Sequence, residues 1–482
     1  MRKAFGLMAV LLLLGGAAMG WCVKTVYASH DQVQFTENVL AGDPAAADGL
    51  SIQMHATYGE QLFWDSIMLL QRDEPPITQT AYQFFNTEQE EESEESYRGI
   101  ELYSDLGSSG SNFLDIPKNK RTGLDLAYQE LYDSAKPGQE AQKTINVADY
   151  CKYYPLAGFI SLKGIQQDFG IWSTTDPGYD ASIQNKLEEF FRIPVLPNEK
   201  LTISLEKDSA GMVYSSGTNS NEGEQFNFYA QGIVTPETIY FSFNNRTNQN
   251  NIVDTSLIPG GYGIYAMDYT AGKVQHQGNA IQTLENGSLH LDSLRLVYPI
   301  SPKEEFLDLC QWSDGKTLLL YTREDDNVYY LTVISMDSMQ QIQRLVLQTT
   351  QNGSGFLYLL PENKNFIVTI IDKTATVLLP DKDGKFHIDM QTTNTLDYQY
   401  LPRNIDSSAI DYQDGKLALA GESYDRYSGM MQTGFDVVIC DRSGLRLWAQ
   451  YQSSLQNDLT GAYNTSEIVR LLYNHPIGVT WQ

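Results

Sequence analysis

The stretch FLDLCQWSDGKTLLLYTREDDNVYYLTVISMDSMQQIQRLVL, residues 306–347, decides how this chain is read. Four short β-rich runs lie in it: Phe306–Trp312, Thr317–Thr322, Val328–Ser335 and Gln341–Leu347. Asp314-Gly315-Lys316 and Asp325-Asp326-Asn327 separate the first three, and a short link precedes the fourth. Asp-Gly and Asp-Asn pairs tolerate the positive φ angles that tight hairpins need. The stretch therefore predicts four consecutive antiparallel strands. Leu318, Leu319, Leu320 and Tyr321 follow one another without a polar break, the pattern of a strand covered on both faces.

The pattern recurs. Phe356–Leu360, Phe366–Ile371, Thr374–Leu379 and Lys385–Gln391 form a second set, with turns at Pro361–Asn365 and Asp381–Gly384. In its last run Phe386, Ile388 and Met390 alternate with Lys385, His387, Asp389 and Gln391, which predicts a half-exposed strand. Ser407–Gln413, Lys416–Ala420, Phe435–Cys440 and Leu445–Gln452 form a third. Four-stranded units that recur every 40–50 residues or so are the signature of β-propeller blades. A lone blade leaves both faces wet, so neighbours must stack. The Asp-Gly-Lys triplets at 314–316, 383–385 and 414–416 resemble the turns of bacterial extracytoplasmic β-propeller repeats. The resemblance is confined to this C-terminal third, and it implies a fold and no activity.

Extended backwards, the pattern places four runs in 51–106: Ser51–Tyr58, Gln61–Leu69, Thr80–Phe85 and Tyr97–Ser104. Another four lie in 225–300: Phe226–Tyr229, Thr238–Phe243, Gly263–Asp268 and Leu289–Val297. Leu201–Glu206 and Gly211–Ser215 are further strand-like runs. The expected fold is mainly β, a propeller of about seven four-stranded blades, with six to eight fitting the length. Gln32–Leu40 and Ile468–Tyr473 are expected to pair and close the ring. Two helical insertions interrupt it, near 123–136 and 182–192. The first carries the stripe Leu124, Tyr128, Leu131 and Ala135 and stops at Pro137-Gly138; the second carries Ile183, Leu187, Phe190 and Phe191. Glu88–Glu95, rich in glutamate, reads as a solvated loop, without the fixed geometry of a calcium cage.

Arg2 and Lys3 precede an uncharged run, Ala4–Val23. As a helix, that run spans about 30 Å, the thickness of a bilayer's hydrocarbon core. Three fates are compatible with it: a retained anchor, a signal cleaved between Ala28 and Ser29, or a lipid-modified Cys22. Its length favours the anchor, since secretory apolar cores are shorter. Each places the remainder, 29–482, outside the cytoplasm as one propeller domain behind a segment 1–28.

The balance of 33 Lys+Arg against 60 Asp+Glu gives a net charge of −27, which excludes a phosphate-neutralising nucleic-acid binder. Four cysteines are too few for a disulfide scaffold; Cys151, Cys310 and Cys440 are odd in number, and none has zinc or Cys-x-x-Cys spacing. Cys310 and Cys440 sit in strand-like runs and read as small buried hydrophobes. His30, His55, His276, His290, His387 and His475 are scattered singly. Gly260-Gly261-Tyr262-Gly263 lacks the following Lys-Ser/Thr of a phosphate cradle and reads as a turn. Asp381-x-Asp383-Gly384 imitates the start of a calcium loop, but the downstream glutamate is missing, so all three Asp-Gly-Lys triplets read as hairpin turns. No metal, cofactor or catalytic residue is assigned.

Tyr150, Tyr153 and Tyr154, with Trp64, Trp172, Trp312 and Trp448, are candidates for a sugar- or peptide-stacking platform; the competing reading packs them between blades. The expected function is a non-catalytic binding protein, held on the outer face of the cell membrane by one N-terminal helix, whose partner is an envelope protein, peptide or glycan. Beside a third reading, a sensory or assembly domain working with a membrane partner, the main alternative is a glycan-active enzyme with a carboxylate pair in the propeller channel. Convergent carboxylates and aromatics separate the two readings.

Overall fold

The computed structural model describes residues 2–29, 35–58, 62–71, 77–83, 99–106, 114, 116, 118, 121, 123–170, 181–219, 223–277, 280–325, 327–350, 356–359, 364–393, 402, 405, 407–424, 431–453 and 473–482. The protein is mainly β, and among the described residues there are three α-helices. The chain divides into two compact units, Met1–Gln89 with Asn352–Gln482, and Glu90–Gln351.

Among the described residues the first unit holds three antiparallel sheets. Phe356–Leu359, Ile367–Ile371, Thr374–Pro380 and Phe386–Gln391 pair in chain order, as expected. Asp372 and Lys373, at φ 43° and 70°, turn the hairpin between Ile371 and Thr374. Two consecutive residues at positive φ match the right-handed twist of the strands they join. The expected alternation in the last strand breaks at Asp389. Val377 pairs with Met390 and Leu378 with Ile388, so Asp389 is the extra residue of a β-bulge. Phe386 and Met390 stay buried while Ile388 turns outward. A bulge shifts the phase of every side chain beyond it, which a period of two cannot register.

The second sheet joins Ile410–Gln413, Lys416–Tyr424, Met431–Asp441 and Gly444–Ser453, and Phe35–Gly42 is added at its edge. Phe35 packs its ring edge-on against Phe435 at 5.9 Å, and Phe435 stacks on Tyr451 at 5.3 Å. Tyr451 donates to Glu37 at 2.5 Å. In the third sheet Tyr473–Trp481 pairs with Leu50–Tyr58, followed by Leu62–Leu69 and Ile77–Gln83. This corrects the expected closure. The N-terminal strand pairs with Gly444–Ser453, and the C-terminal strand pairs with Leu50–Tyr58. Residues 30–34 and 454–472, which hold most of the run expected at 468–473, lie outside the described residues.

The second unit contains the sheet that decided the reading: Glu304–Gln311, Thr317–Glu324, Val328–Ser335 and Gln341–Thr349, paired in order. Leu318, Leu319, Leu320 and Tyr321 are all buried. Elsewhere the expectation of separate four-stranded blades is corrected. Ser288–Pro299, Gly263–Thr270, Thr238–Phe243 and Tyr229–Val234 continue through Gly99–Ser104 into Leu156–Leu162 and Ile165–Phe169, one seven-stranded sheet. Gly99–Ser104, expected beside the 51–83 strands, pairs instead with Tyr229–Val234 and Leu156–Leu162. Ile100 and Leu102 are fully buried there, in one core with Leu156, Ile160, Phe228 and Phe241. Burying two such side chains is worth roughly 3–6 kcal/mol, and the 51–83 sheet already takes its fourth strand from the C-terminus. Glu88–Glu95 lies outside the described residues.

A three-stranded sheet (Val213–Asn219, Lys200–Lys207, Glu140–Asn146) and a hairpin (Lys273–Gln277, Ala280–Glu285) complete this unit. Both expected helices form, as Leu124–Ser134 and Ala181–Phe190. Leu124, Tyr128 and Leu131 of the first are buried, and Tyr128 donates to Gly217 O at 3.1 Å. Ile183 and Leu187 of the second are buried, and Phe191 beyond it packs edge-on against Tyr265 at 4.9 Å.

The N-terminal helix runs Arg2–Ser29, and Leu11, Leu12, Leu13 and Leu14 on it are exposed. Among the described residues no helix is long and apolar enough to cross a membrane. The anchor expected at the N-terminus therefore rests on the sequence.

Candidate functional site

Within the first unit an open cleft of about 550 Å³ is lined by Asp389, Tyr412, Asp414, Gly415, Asp441, Arg442, Ser443 and Arg446. Local backbone departures build it. The first is the bulge at Asp389. The second is a bulge at Arg446, since Ile439 pairs with Leu447 and Cys440 with Leu445. The third is the hairpin turn at Asp414 and Gly415, φ 51° and 78°, between the paired Gln413 and Lys416. Bulges re-aim a side chain out of the ladder and concentrate beside functional sites.

The carbonyls that the bulges free are both taken up. Arg442 Nη2 donates to Asp389 O at 2.8 Å, and Asp43 N donates to Arg446 O at 2.9 Å. Thr393 holds Arg442 O through its amide at 2.8 Å and its hydroxyl at 2.9 Å. Tyr412 OH donates to Asp389 Oδ2. Burial, and then this carboxylate, push the Tyr412 phenol well above its ordinary pKa, so it stays a donor. Asp441 Oδ1 accepts from Ser443 N at 2.8 Å and Ser443 Oγ at 2.6 Å, and its Oδ2 lies 3.6 Å from Arg446 Nε. Arg442, Ser443, Arg446 and Asp414 are exposed, and Asp389, Tyr412 and Asp441 half-buried. The cleft thus offers carboxylate acceptors, two guanidinium groups and one aromatic ring, with no aliphatic wall.

Of the predicted triplets, 414–416 reaches this cleft, through Asp414 and Gly415. The other two are turns in which a carboxylate bonds backbone amides, Asp314 of the triplet itself in the first and Asp381, two residues ahead of Asp383, in the second. Asp314 Oδ1 accepts from Lys316 N at 2.8 Å and Thr317 N at 3.0 Å, and Asp381 Oδ1 from Asp383 N at 2.8 Å and Lys385 N at 2.9 Å. Among the described residues no group of three His, Cys, Asp or Glu is placed to hold a metal ion. At the glycine-rich turn Gly260 and Gly261 take φ 82° and 85°, and Tyr262 is buried, donating to Phe243 O at 3.1 Å and accepting from Phe306 N at 3.0 Å.

The aromatic platform does not assemble among the described residues. Tyr154 is buried edge-on against Phe226 at 5.3 Å, Tyr150 donates to Glu130 at 2.8 Å, and Trp312 is buried. Trp448 is partly buried against the core of its sheet. Trp172 and the side chain of Trp64 lie outside the described residues. Cys151, Cys310 and Cys440 are buried free thiols. Burial pushes the Cys151 thiol up to about 11 and Cys440 to about 12, which leaves neither nucleophilic at neutral pH. His290 Nε2 lies 3.0 Å from Thr270 Oγ1, and His387 is exposed. His30 and the side chains of His55, His276 and His475 lie outside the described residues.

Sequence reading missed Asp389, Tyr412, Asp441, Arg442 and Arg446 as a group. They come from two sheets and 58 positions of chain, and bulges aim two of them.

No protein-family model matches the chain, and no curated protein matches it. Among solved structures it is similar to a Bacteroides fragilis protein provisionally described as a 6-phosphogluconolactonase, at 10% identity and a TM-score of 0.30, covering 91% of this chain and 99% of that one. A likeness that weak carries no argument about fold or activity.

Proposed function

We propose that this protein is a non-catalytic binding protein whose ligand, an envelope peptide or glycan, sits in the Asp389–Arg446 cleft. The observation that carries this reading is the cleft's own bonding. Asp389 is engaged by Tyr412, and Asp441 by Ser443 and Arg446. Such groups present fixed donors and acceptors to a ligand. Ser443 and Arg446 hold the Asp441 carboxylate and Tyr412 holds that of Asp389, an arrangement that supports fixed acceptors for a ligand over a free nucleophile and base pair. A propeller-type ring of about seven blades, with the four-stranded sheets as its units, is part of the same proposal. Supporting it are the three chain-order sheets and the crossed exchange of terminal strands. Attachment to the outer face of a membrane is proposed on the uncharged run Ala4–Val23 behind Arg2 and Lys3.

The test is calorimetric titration of the full chain, in mild detergent, with envelope polysaccharides and peptides, beside the Tyr412→Phe and Asp389→Asn variants. Binding that weakens in both variants, with no reducing ends released, is the expected outcome. Release of reducing ends that stops in Asp389→Asn overturns the reading in favour of an enzyme. Recovery of the chain in the medium, beginning at Ser29, overturns the anchor.

A further inference from the structure

We infer that the cleft selects an acidic sugar, a uronate-bearing glycan, with Arg446 and Arg442 receiving its carboxylate. This deepens the binding reading above and rests on it.

The inference starts from how Arg446 is held. It is the extra residue of its bulge, so its side chain leaves the alternation of Gly444–Ser453. Its backbone is clamped from the other side by the N-terminal strand. Asp43 N donates to Arg446 O at 2.9 Å, and Gly42, at φ 89°, passes so close that a Cβ there would lie 2.1 Å from that oxygen. Only glycine fits, on both conformation and space. Asp43 itself is fixed as the cap of the short helix Pro44–Ala47, accepting from Ala45 N at 3.0 Å. A strand from the opposite end of the chain thus fixes the backbone from which this guanidinium extends.

The guanidinium, by contrast, is loosely engaged. Its contacts are Nε to Asp441 at 3.6 Å and Nη1 to Ser443 Oγ at 3.5 Å, both at the outer limit of a polar contact. Arg442 spends Nη2 on Asp389 O. A guanidinium has five donors. Two exposed arginines with rigidly held backbones and donors in excess suit a carboxylate, which accepts two parallel bonds from such a fork.

The rest of the cleft selects the class of carboxylate. Asp414 and Asp441 offer acceptors for hydroxyl groups, and the half-buried Tyr412 offers a ring. Apart from the Tyr412 ring no hydrophobic side chain lines the cleft, so the branched apolar neighbours in an acidic peptide would find no aliphatic partner to pack against. A uronate brings hydroxyls for the aspartates and a carboxylate for the arginines. The chain's net charge of −27 opposes such a ligand at long range, but repulsion is largely screened beyond about 8 Å at physiological ionic strength. Selection therefore resides in the contacts.

The experiment titrates the full chain with an oligogalacturonate and with the same oligosaccharide after reduction of its carboxyl groups. Arg446→Gln and Arg446→Lys are compared, with thermal melting as the folding control. The expected result is binding of the acidic form, weakened about tenfold or more by carboxyl reduction and by Arg446→Gln, with Arg446→Lys between. Equal binding of both forms, indifferent to Arg446→Gln but lost in Tyr412→Phe, overturns the acidic-sugar inference and leaves the binding reading standing. Binding of neither form also overturns it, and capture of an envelope peptide in the same cleft would then keep the broader reading.

Discussion

Lys364 Nζ lies 2.8 Å from Asp411 Oδ1 and donates to the carbonyls of Ile410, at 2.7 Å, and Val479, at 2.8 Å. One ammonium thereby joins three sheets of the first unit. Lys364 precedes the strand Ile367–Ile371, Ile410 and Asp411 belong to Ile410–Gln413, and Val479 belongs to the C-terminal strand. Asp411 Oδ2 accepts from Trp481 N at 2.8 Å, so both carboxylate oxygens are engaged. Apolar faces press these sheets together without specifying how they line up. The charged group fixes their alignment, because leaving any of its partners unpaired in a largely buried place is costly.

Removing that ammonium tests the point. Lys364→Met is expected to destabilise the first unit by about 3 kcal/mol, since it leaves a mostly buried carboxylate and two carbonyls unpaired. Hydrogen exchange at Trp481 and in Ile410–Gln413 should quicken, while the strands of 304–349 keep their protection. Unchanged exchange at Trp481 would remove Lys364 from this role.

Lys207 does comparable work in the second unit. Its Nζ donates to Tyr132 O at 2.7 Å and Ala135 O at 3.0 Å, and sits 3.7 Å from the centre of the Tyr132 ring. A cation here meets the negative end of the helix Leu124–Ser134 and its orphan carbonyls. Lys207→Met should cost about 2 kcal/mol, read as faster amide exchange in the last turn of that helix.

Glu199 gives the second unit a pH dependence of unusual sign. It is buried, bonded to Tyr154 OH, and burial raises its carboxyl from 4.5 to about 6. The folded state therefore holds this proton more tightly than the unfolded chain. The contribution, about 2 kcal/mol, is complete below the unfolded value near 4.5 and disappears as pH rises through about 6. The charge of Glu224 also raises Glu199, whereas the hydrogen bond from the neutral Tyr154 hydroxyl lowers it. Denaturation of the native protein and of Glu199→Gln, from pH 4 to 8 or so, should differ by a term that changes only in that window. A difference flat with pH would sink the assignment.

Gly42→Ala links stability to the cleft. The methyl group would meet Arg446 O at 2.1 Å in a conformation that L-residues rarely adopt, at a cost of about 2 kcal/mol or more. Because the shift falls on the bulge, ligand binding should weaken even though Gly42 touches no ligand. Retained affinity with a lowered melting temperature would separate the clamp from the site.

At Asp314 the carboxylate serves its own turn, with Oδ2 also accepting from Thr317 Oγ1 at 2.7 Å. Asp314→Ala should cost about 1 kcal/mol, and addition of calcium or of a chelator should leave the melting temperature of the native chain unchanged.

How much of this was readable beforehand depends on the range of the interaction responsible. The strands of 304–349, 356–391 and 410–453 are legible because each is specified locally, by a run of β-formers ended by residues that accept positive φ, such as Asp414-Gly415. The helices at Leu124–Ser134 and Ala181–Phe190 are legible for the same reason, through the spacing of Leu124, Tyr128 and Leu131 and of Ile183 and Leu187. The partners of Gly99–Ser104, Phe35–Gly42 and Tyr473–Trp481 are not. A strand's pattern states that one face must be covered and is silent on which strand lies beside it.

The cleft follows the same division. Asp414 stood out because its turn is local, whereas Asp389 and Arg446 looked like ordinary members of alternating strands until pairing made each of them a bulge. Sequence alone determined the elements, their turns and the chain's acidity, because these depend on neighbours within a few residues. Tertiary structure decided the sheet memberships, the Lys364–Asp411 tie and the convergence of Asp389 with Arg446. Those depend on which distant segments offer the best burial and complete each other's hydrogen bonds.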